Sequence, residues 1–413
     1  MPRQLTDWLE SYMLFTQNTE PPTLYHLWSG ITAISSALRR KCFCNWGSRG
    51  YIYPNLYVSL VGPPGGRKGT AMKTAKKMVE LLEIPMGSDS LGSTQALYAE
   101  IMNSEDHYIN SGGLACKYKS LSIWSEEFQV FLSDRDLTLV GALTDLFDCA
   151  DSWKYTTLKR KTEDISNCWL TIIGAITPSL LQSKLSQDAV GGGLLSRIIF
   201  VVGYGPIRRI ALPFLTEEEE NLKKALNEDL QQIANLSGPF KLCNSFLRSY
   251  ARWYENGSSA DGVSNDKFLG YNSRRALHLN KICMVVSASE DSSMELHDRH
   301  FEKSLAILEA TEKEMPNAFH GLGMATQSNV YAKIMSYIET HDQFSWNEVL
   351  RHVHLDINNT QELRNLMEMA EQSGQVKAEQ STTTLMYESI QKTNKSKGSK
   401  YLTETLYQQM TNL

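Results

Sequence analysis

A glycine-rich loop between a strand-like and a helix-like segment constrains this chain more than any other stretch. The loop reads "VGPPGGRKGTA" over residues 61–71, follows the apolar run "LYVSL" and precedes "MKTAKKMVELLE". Small residues let backbone N–H groups turn towards a phosphate, a lysine reaches the outer phosphates, and the helix N-terminus adds its dipole. The stretch therefore predicts a nucleotide-phosphate loop formed by Gly62, Pro63, Pro64, Gly65, Gly66, Arg67, Lys68, Gly69 and Thr70.

Two positions of this loop depart from the usual phosphate-binding pattern. Arg67 stands where a glycine is expected, so its backbone must accept a conformation that glycine adopts more easily. Gly69 stands where a magnesium-binding hydroxyl is expected, which moves that role to Thr70. A glycine-rich turn with a surface lysine is the alternative, but the preceding strand and the following helix favour a nucleotide site.

Two later strand-like segments end in residues that can complete such a site. "SLSIWSEEF" ends in Glu126 and Glu127, and "CWLTIIGAITP" ends in Thr177. Magnesium needs a hard oxygen ligand and hydrolysis needs a base that orients water. We assign the metal to Glu126 with Thr70, the base to Glu127 and a γ-phosphate contact to Thr177. A solvated acidic strand end and a threonine that merely ends a strand are the alternatives.

An arginine stands at the entrance of the last strand of this region. "GGGLLSRIIFVV" places Arg197 after a glycine-rich turn and before an apolar run. An arginine in this place can stabilise the charge of a transferred phosphoryl group in a neighbouring subunit. This role as an arginine finger requires an oligomer.

The pattern of segments predicts an α/β protein of several domains, since one core seldom exceeds about 250–300 residues. Strands alternate with helices from residue 51 to about 205, which indicates a largely parallel sheet flanked by helices. Amphipathic helices follow, the first capped by Thr216, and then three helices and a two-stranded ribbon, which suggest a winged helix. The predicted parts are an N-terminal helical segment (1–50), the phosphate-loop core (51–212), a helical region (213–322), a winged helix (323–391) and a polar tail with a short helix (392–413).

Composition excludes several classes of protein. The 42% of hydrophobic residues and the net charge of −5 are typical of an ordinary soluble protein. No apolar run reaches the ~20 residues of a membrane span and no signal peptide is recognisable, so we expect a cytoplasmic protein without a membrane partner. Seven cysteines argue against a disulfide framework, and Cys42 and Cys44 are interpreted as strand residues rather than metal ligands.

Because the whole chain is acidic, nucleic-acid binding requires a local basic patch. The segment "WKYTTLKRKTEDISN" provides one, with Trp153 and Tyr155 interleaved among cations. Cations can pair with phosphates while aromatic rings stack on bases. The candidate contacts are Lys154, Lys159, Arg160 and Lys161. A solvated hairpin tip is the alternative.

The order of these parts resembles that of the AAA+ ATPases. Within them it is most similar to the minichromosome-maintenance-type (MCM-like) helicases, whose arginine finger lies in a similar "LLSR" context. It also resembles the helicase-like proteins of phages and mobile elements that share "YPNLYV.LVGPPG..K.T" and "GGG.LSRI.FV". The similarity extends over residues 20–320, with a looser match of the winged helix.

The resemblance implies a P-loop AAA+ domain with a helical lid and a C-terminal winged helix, using ATP and Mg²⁺. It implies a homo-oligomeric ring, a hexamer, that translocates on or unwinds DNA, with single-stranded DNA in a central channel lined by the basic hairpin. It makes Arg275, or else Arg274, the lid arginine that contacts the nucleotide; exposed surface arginines are the alternative. The candidate recognition helix of the winged helix, residues 359–374, is acidic, with Arg364 as its only strong cation. A replication partner protein is expected there, and weak contact with DNA is the alternative.

The chain also departs from these helicases. It lacks their aspartate–glutamate pair and their sensor asparagine, and we expect no large N-terminal oligonucleotide-binding domain. ATP hydrolysis is therefore a firmer expectation than unwinding. Two alternatives stay open. One is an AAA+ helicase loader or ATP-gated DNA-binding assembly factor without unwinding activity. The other is a structural protein with a degenerate phosphate loop, an alternative that Gly69 and Glu126 support.

Overall fold

The structure is a computed structural model that divides the chain into two compact units. In the first unit it describes residues 3–88, 93–110, 112–132, 137–155, 163–184, 193–264 and 266–319. In the second unit it describes residues 330, 331, 333–335, 337, 338, 341, 343–354, 357, 360–372, 376–380 and 385–389.

The first unit contains α-helices, β-strands and short 3₁₀ turns. Its helices are α1 (Trp8–Thr16), α2 (Thr23–Leu38), α3 (Lys68–Glu80), α4 (Thr94–Asn103), α5 (Leu137–Phe147), α6 (Pro178–Lys184), α7 (Glu217–Ala234), α8 (Asn244–Glu255), α9 (Leu269–Glu290) and α10 (Asp298–Glu312). Its strands are β1 (Cys42–Asn45), β2 (Tyr51–Ile52), β3 (Tyr57–Val61), β4 (Glu105–Ile109), β5 (Ala115–Ser125), β6 (Ser152–Tyr155), β7 (Glu163–Ser166), β8 (Cys168–Ile176), β9 (Ile198–Val202), β10 (Gly238–Leu242) and β11 (Glu295–Leu296). The 3₁₀ turns are Gly47–Arg49, Phe128–Leu132, Leu195–Arg197, Asp266–Phe268 and Met315–Phe319.

The central sheet has the strand order β4-β5-β8-β3-β9. The predicted parallel sheet is confirmed, because the neighbouring strands β5, β8, β3 and β9 are all parallel. The outermost strand β4, which was not predicted, pairs antiparallel with β5. Every residue of β3, β8 and β9 is buried, as expected for parallel strands covered on both faces. In the register, Val61 lies opposite Ile176 and Val202, so these three strands end at one edge.

The N-terminal helices belong to the same compact unit as the sheet and the later helices. Trp8 Nε1 donates to the Leu226 carbonyl of α7 at 2.8 Å, and Trp28 Nε1 donates to Thr311 of α10 at 2.9 Å. Asp7 binds Lys303 of α10, and both groups are almost completely buried. The three parts predicted over residues 1–50, 51–212 and 213–322 therefore fold as one unit up to residue 319.

A second sheet lies in this unit, with the order β11-β10-β1-β2. Strand β1 confirms the interpretation of Cys42 and Cys44 as strand residues. Strands β10 and β11 interrupt a region that was expected to be helical, so that expectation was wrong at these two places. Both are short and pair with segments distant in sequence, and such pairing leaves no local periodicity.

The second unit combines helices with a three-stranded antiparallel sheet. Helical backbone at residues 330, 331, 333–335, 337 and 338 is followed by β12 (Gln343–Ser345), α11 (Trp346–Val353), α12 (Thr360–Gln372), β13 (Val376–Gln380) and β14 (Leu385–Ser389). The sheet order is β12-β14-β13. The core consists of Val330, Ile334, Ile338, Phe344, Val349, Val353, Leu363, Leu366, Met367, Ala370 and Val376. The order of elements agrees with the predicted one over the described residues.

Two chemical features complete the description. All seven cysteines carry free thiols. Among the described residues, no helix has the length and apolar character that crossing a membrane requires.

Candidate functional site

The glycine-rich loop joins the end of β3 to the first residue of α3, which is Lys68. Gly65 has a φ of +75° and Arg67 a φ of +62°, so both lie in the left-handed region. This confirms the expectation that Arg67 adopts a conformation suited to glycine. Arg67 Nε pairs with Glu20 Oε2 at 2.6 Å, which ties the outer side of the loop to the segment between α1 and α2.

Tyr25 of α2 supports the base of the loop. Its buried hydroxyl donates to the carbonyls of Val61 at 2.7 Å and Gly203 at 3.1 Å. A Cβ atom at Gly62 would lie 2.3 Å from Tyr25 Oη and 2.4 Å from Gly203 O, so only glycine fits. Burial raises the pKa of Tyr25 above its ordinary value, and the group stays a neutral donor. No sequence motif indicated this residue, because its role depends on contacts between distant segments.

Lys68 places an ammonium group inside the loop. Nζ donates to the carbonyls of Gly62 at 2.7 Å and Pro63 at 2.8 Å. Within the described part of the chain, no carboxylate lies within ion-pair distance of this group. Desolvation by burial lowers the pKa of Lys68 to about 8. Among the residues that the structure describes, this cation therefore has no counter-ion, and it lies at the N-terminus of a helix, where the helix dipole also favours an anion.

Glu126 follows β5 and reaches the first turn of α3. A Cβ atom at Gly69 would lie 3.2 Å from Glu126 Oε2, so the missing side chain leaves room for this carboxylate. Glu126 Oε1 pairs with Lys73 Nζ at 2.7 Å, and both side chains are more than half exposed. Gly69 and Glu126 thus fit each other sterically, since the glutamate, which is one methylene longer than an aspartate, faces a position without a side chain.

Glu127 and Thr177 lie at the same edge of the sheet. Glu127 is exposed, and its N–H donates to Ser125 Oγ at 3.2 Å. Thr177 directly follows Ile176, which pairs with Val61, so it lies beside the start of the loop. Its Oγ1 accepts from the N–H of Leu180 at 3.4 Å and lies 3.2 Å from Ser179 Oγ, so the hydroxyl caps α6.

The predicted groups of the phosphate site thus meet at the carboxyl ends of the parallel strands. The loop, Lys68, Glu126, Glu127 and Thr177 all follow the ends of β3, β5 and β8, and Thr70 is exposed on the first turn of α3. Carboxyl ends of parallel strands are where open α/β sheets bind ligands. The arrangement can bind a polyanion and place carboxylates beside it.

Arg197 lies at the opposite edge of the sheet. Ile198, the next residue, pairs with Tyr57 at the start of β3, and this strand spans about 16 Å. The Arg197 guanidinium is nearly buried and donates to Asp148 Oδ2 at 2.8 Å and to the Gly193 carbonyl at 2.9 Å. It does not reach the loop of its own chain. Sequence reasoning missed Asp148, which carried no motif.

Arg275 is bound to other groups of its own chain. It is 2% exposed, and its Nε donates to Glu312 at 2.7 Å while Nη1 donates to the Ser258 carbonyl at 2.7 Å. The interpretation of Arg275 as an exposed arginine is therefore wrong, and a nucleotide contact would require breaking a buried ion pair. Its neighbour Arg274 is partly exposed and lies 3.6 Å from Asp148.

The basic cluster is described only at its flanks. Strands β6 and β7 form an antiparallel ribbon, as predicted for a hairpin. Trp153 lies against Tyr98, with ring centroids 4.7 Å apart. Lys159, Arg160 and Lys161 lie outside the described residues, as does the side chain of Lys154.

A scan of the sequence against protein-family models found no match, and a search of curated proteins found no matching relative.

Proposed function

We propose that this chain is a ring-forming AAA+ ATPase that couples ATP hydrolysis to translocation on, or unwinding of, DNA. In this proposal it acts as a replicative helicase of a phage or mobile element. The ATP site is the loop from Gly62 to Thr70 at the carboxyl edge of the central sheet, and the MCM-like order of motifs supplies the link to DNA.

The observation that carries the proposal is the state of Lys68. Its ammonium is half-buried and its pKa is lowered. Among the described residues, its hydrogen-bond partners are backbone carbonyls alone. Burying a cation costs free energy unless an anion is nearby. A triphosphate offers the missing negative charge, and the small residues of the loop let backbone N–H groups approach it.

The residues beside the loop also fit a magnesium ion. Glu126 offers a carboxylate over Gly69, and the exposed Thr70 offers a hydroxyl on the same helical turn. Both are hard oxygen ligands. Magnesium, when bound, neutralises phosphate charge and polarises the phosphoryl group. Lys73 holds Glu126 through an exposed ion pair that costs little to break.

The remaining roles fall to three residues. Glu127, exposed and next to Glu126, orients the attacking water. Thr177, at the end of the neighbouring strand β8, contacts the γ-phosphate. Its hydroxyl then gives up the hydrogen bond that it accepts from the N–H of Leu180 in α6. Arg197, which lies at the far edge of the sheet, serves a neighbouring subunit after release from Asp148.

The second unit supports the same proposal in part. Its helices, its β13–β14 ribbon and its short β12 strand have the order of a winged helix, and we assign it that fold. The exposed face of α12 carries Arg364, but also Glu368, Glu371 and the 56% exposed Met369. This surface favours a protein partner over a phosphate backbone.

That surface favours a second candidate function, an ATP-gated helicase loader or assembly factor without unwinding activity. A strand-displacement assay separates the two candidates. The helicase releases a labelled strand in an ATP-dependent reaction, whereas the loader hydrolyses ATP and leaves the duplex intact.

The proposal is tested by ATP turnover with and without single-stranded DNA. We expect DNA to stimulate the wild-type protein, and we expect Lys68→Ala and Glu127→Gln to reduce turnover by at least about 100-fold. Lys77→Ala, at the exposed far end of α3, is the matched control and keeps normal turnover. A wild-type protein without turnover, or a Lys68→Ala variant with normal turnover, contradicts the proposal.

The shared site is tested by mixing two inactive variants. Arg197→Ala keeps the loop and Lys68→Ala keeps the arginine, so a mixed ring contains complete sites between subunits. We expect the mixture to recover part of the wild-type turnover. If Arg197 has only a structural role, the mixture stays as inactive as its components.

A further inference from the structure

A cysteine, a glutamate and a histidine converge at the edge of the second sheet, away from the phosphate loop. Cys243 Sγ lies 3.8 Å from Glu295 Oε2 and 3.8 Å from His297 Nε2. Glu295 Oε2 and His297 Nε2 are 3.4 Å apart. All three side chains are partly buried, and each offers one ligand atom to the same point.

These distances match those around a tetrahedral zinc ion. Zinc bonds of about 2.3 Å to sulfur and about 2.0–2.2 Å to nitrogen or oxygen give ligand separations of about 3.5–3.6 Å for the sulfur pairs and about 3.3–3.4 Å for the nitrogen–oxygen pair. The observed triangle is within a few tenths of an ångström of that shape. Three side chains therefore need only a small movement to close on one ion.

The backbone fixes this triangle. Strand β11 pairs in parallel with β10, and the N–H of Cys243 continues the pairing by donating to the Leu296 carbonyl at 3.0 Å. Lys241 Nζ binds the other oxygen of Glu295, Oε1, at 2.7 Å. This bond orients the carboxylate and leaves Oε2 directed at the two remaining ligands, as partners of metal ligands commonly do.

We propose that Cys243, Glu295 and His297 bind a zinc ion. Thiolate, imidazole and carboxylate are the ligands that zinc accepts together, whereas magnesium and calcium prefer oxygen alone. The ion links the end of β10 to β11 and to the starts of α8 and α10, and solvent occupies its fourth position. Its charge offsets the repulsion between thiolate and carboxylate. This site is independent of the proposed ATPase activity.

The test uses the full chain, purified without a histidine tag and dialysed before metal analysis. We expect about one equivalent of zinc per chain in the wild type, and a loss of at least about tenfold in Cys243→Ser and His297→Gln. Cys116→Ser is the matched control, because Cys116 is a partly exposed cysteine outside the triangle, and it keeps its zinc. Far-UV circular dichroism checks that each variant is folded.

Cobalt substitution gives a second measurement that does not depend on zinc carried through purification. We expect tetrahedral cobalt bands and a sulfur-to-cobalt charge-transfer band in the wild type and in Cys116→Ser, and their loss in Cys243→Ser. A chelator should lower the melting temperature of the wild type and of Cys116→Ser, but not that of Cys243→Ser or His297→Gln. The proposal is overturned if the wild type contains no zinc and also shows no cobalt bands. It is also overturned if Cys243→Ser is folded and has the zinc content and cobalt bands of the wild type.

Discussion

The cations of the glycine-rich loop (residues 62–70) and the arginines on or near α9 differ in their binding partners. In the loop, Lys68 binds two backbone carbonyls and Arg67 binds Glu20 through a partly exposed pair. In the α9 arginine cluster, defined as Arg197, Arg274 and Arg275 with Asp148 and Glu312, two guanidiniums are nearly buried and bind carboxylates. Among the described residues, Lys68 is the cation of these two regions that has no carboxylate partner.

The difference separates binding groups from structural groups. A carbonyl partner is exchanged at low cost for a phosphate oxygen, because the ammonium gains an anion. The Arg275–Glu312 pair is buried on both sides and costly to break, because one charge stays behind without compensation. Asp148, the partner of Arg197, is about half exposed, so its pair is less costly to break. The same residue type therefore has different uses in the two regions, and substitutions can measure them.

The largest expected effect is that of Arg275→Ala. The variant leaves the Glu312 carboxylate, whose side chain is 4% exposed, without its cationic partner and with the hydrogen bond from the Tyr271 hydroxyl. We expect the free energy of unfolding to fall by about 3–5 kcal/mol, measured by urea denaturation. Arg274→Ala is the matched control, with a loss below about 1 kcal/mol because its pair with Asp148 is long and partly exposed. Equal losses in the two variants would contradict the distinction.

The next effect concerns the fit between Gly69 and Glu126. Gly69→Ser places a Cβ atom 3.2 Å from Glu126 Oε2 and displaces the carboxylate. We expect ATP turnover to fall about 10- to 100-fold, the range seen when groups around a metal are disturbed. The double variant Gly69→Ser with Glu126→Asp should recover most of that loss, because the shorter acid fits beside the added side chain. Additive losses in the double variant would show that the two positions are independent.

The pH dependence of nucleotide affinity probes Lys68. Its lowered pKa of about 8 means that the free loop loses its ammonium charge above that pH, whereas bound phosphate favours the charged form. Binding therefore takes up a proton above pH 8. Affinity should fall about fivefold from pH 8 to pH 9 and stay nearly constant below pH 7. Titration calorimetry in two buffers of different ionisation enthalpy measures the uptake. Proton-independent binding at pH 9 is incompatible with this role of Lys68.

The smallest expected effect is that of Arg67→Gly. Relief of the left-handed backbone contributes about 1–2 kcal/mol, and loss of the exposed pair with Glu20 removes part of it. We expect a net rise in the free energy of unfolding of up to about 1 kcal/mol. Glu83→Gly relieves the same strain at an exposed residue with a φ of +54° and is the control. A loss in Arg67→Gly beside a gain in Glu83→Gly would show that the pair outweighs the strain.

Local patterns predicted the elements of this chain well. The apolar runs correctly predicted β3, β5, β8 and β9. Thr216 caps α7, as was expected of a threonine before this helix, and it forms a capping box with Glu219. These features depend on neighbouring residues, which the sequence displays directly. The strained backbone of Arg67 was likewise predictable from its position in the motif.

Contacts between distant segments were not predictable. Asp148, Tyr25 and Glu312 carry no motif, and each acquires its role by meeting a residue far along the chain. The same reason hides the pairing of β10 with β1 and the triangle around Cys243. Arg275 was assigned from its place in a familiar order of motifs, which identifies a helix but not the partner of each side chain.

Nucleotide binding at the loop is tested most directly by the affinity of the full chain for ATP with magnesium, measured by titration for the wild type, Lys68→Ala and Lys77→Ala. We expect the wild type and Lys77→Ala to bind ATP equally. We expect Lys68→Ala to bind about 10- to 100-fold more weakly, since it loses a charge-assisted hydrogen bond of about 1.5–3 kcal/mol. Equal affinity of Lys68→Ala and the wild type, or no binding by the wild type, would contradict nucleotide binding at the loop.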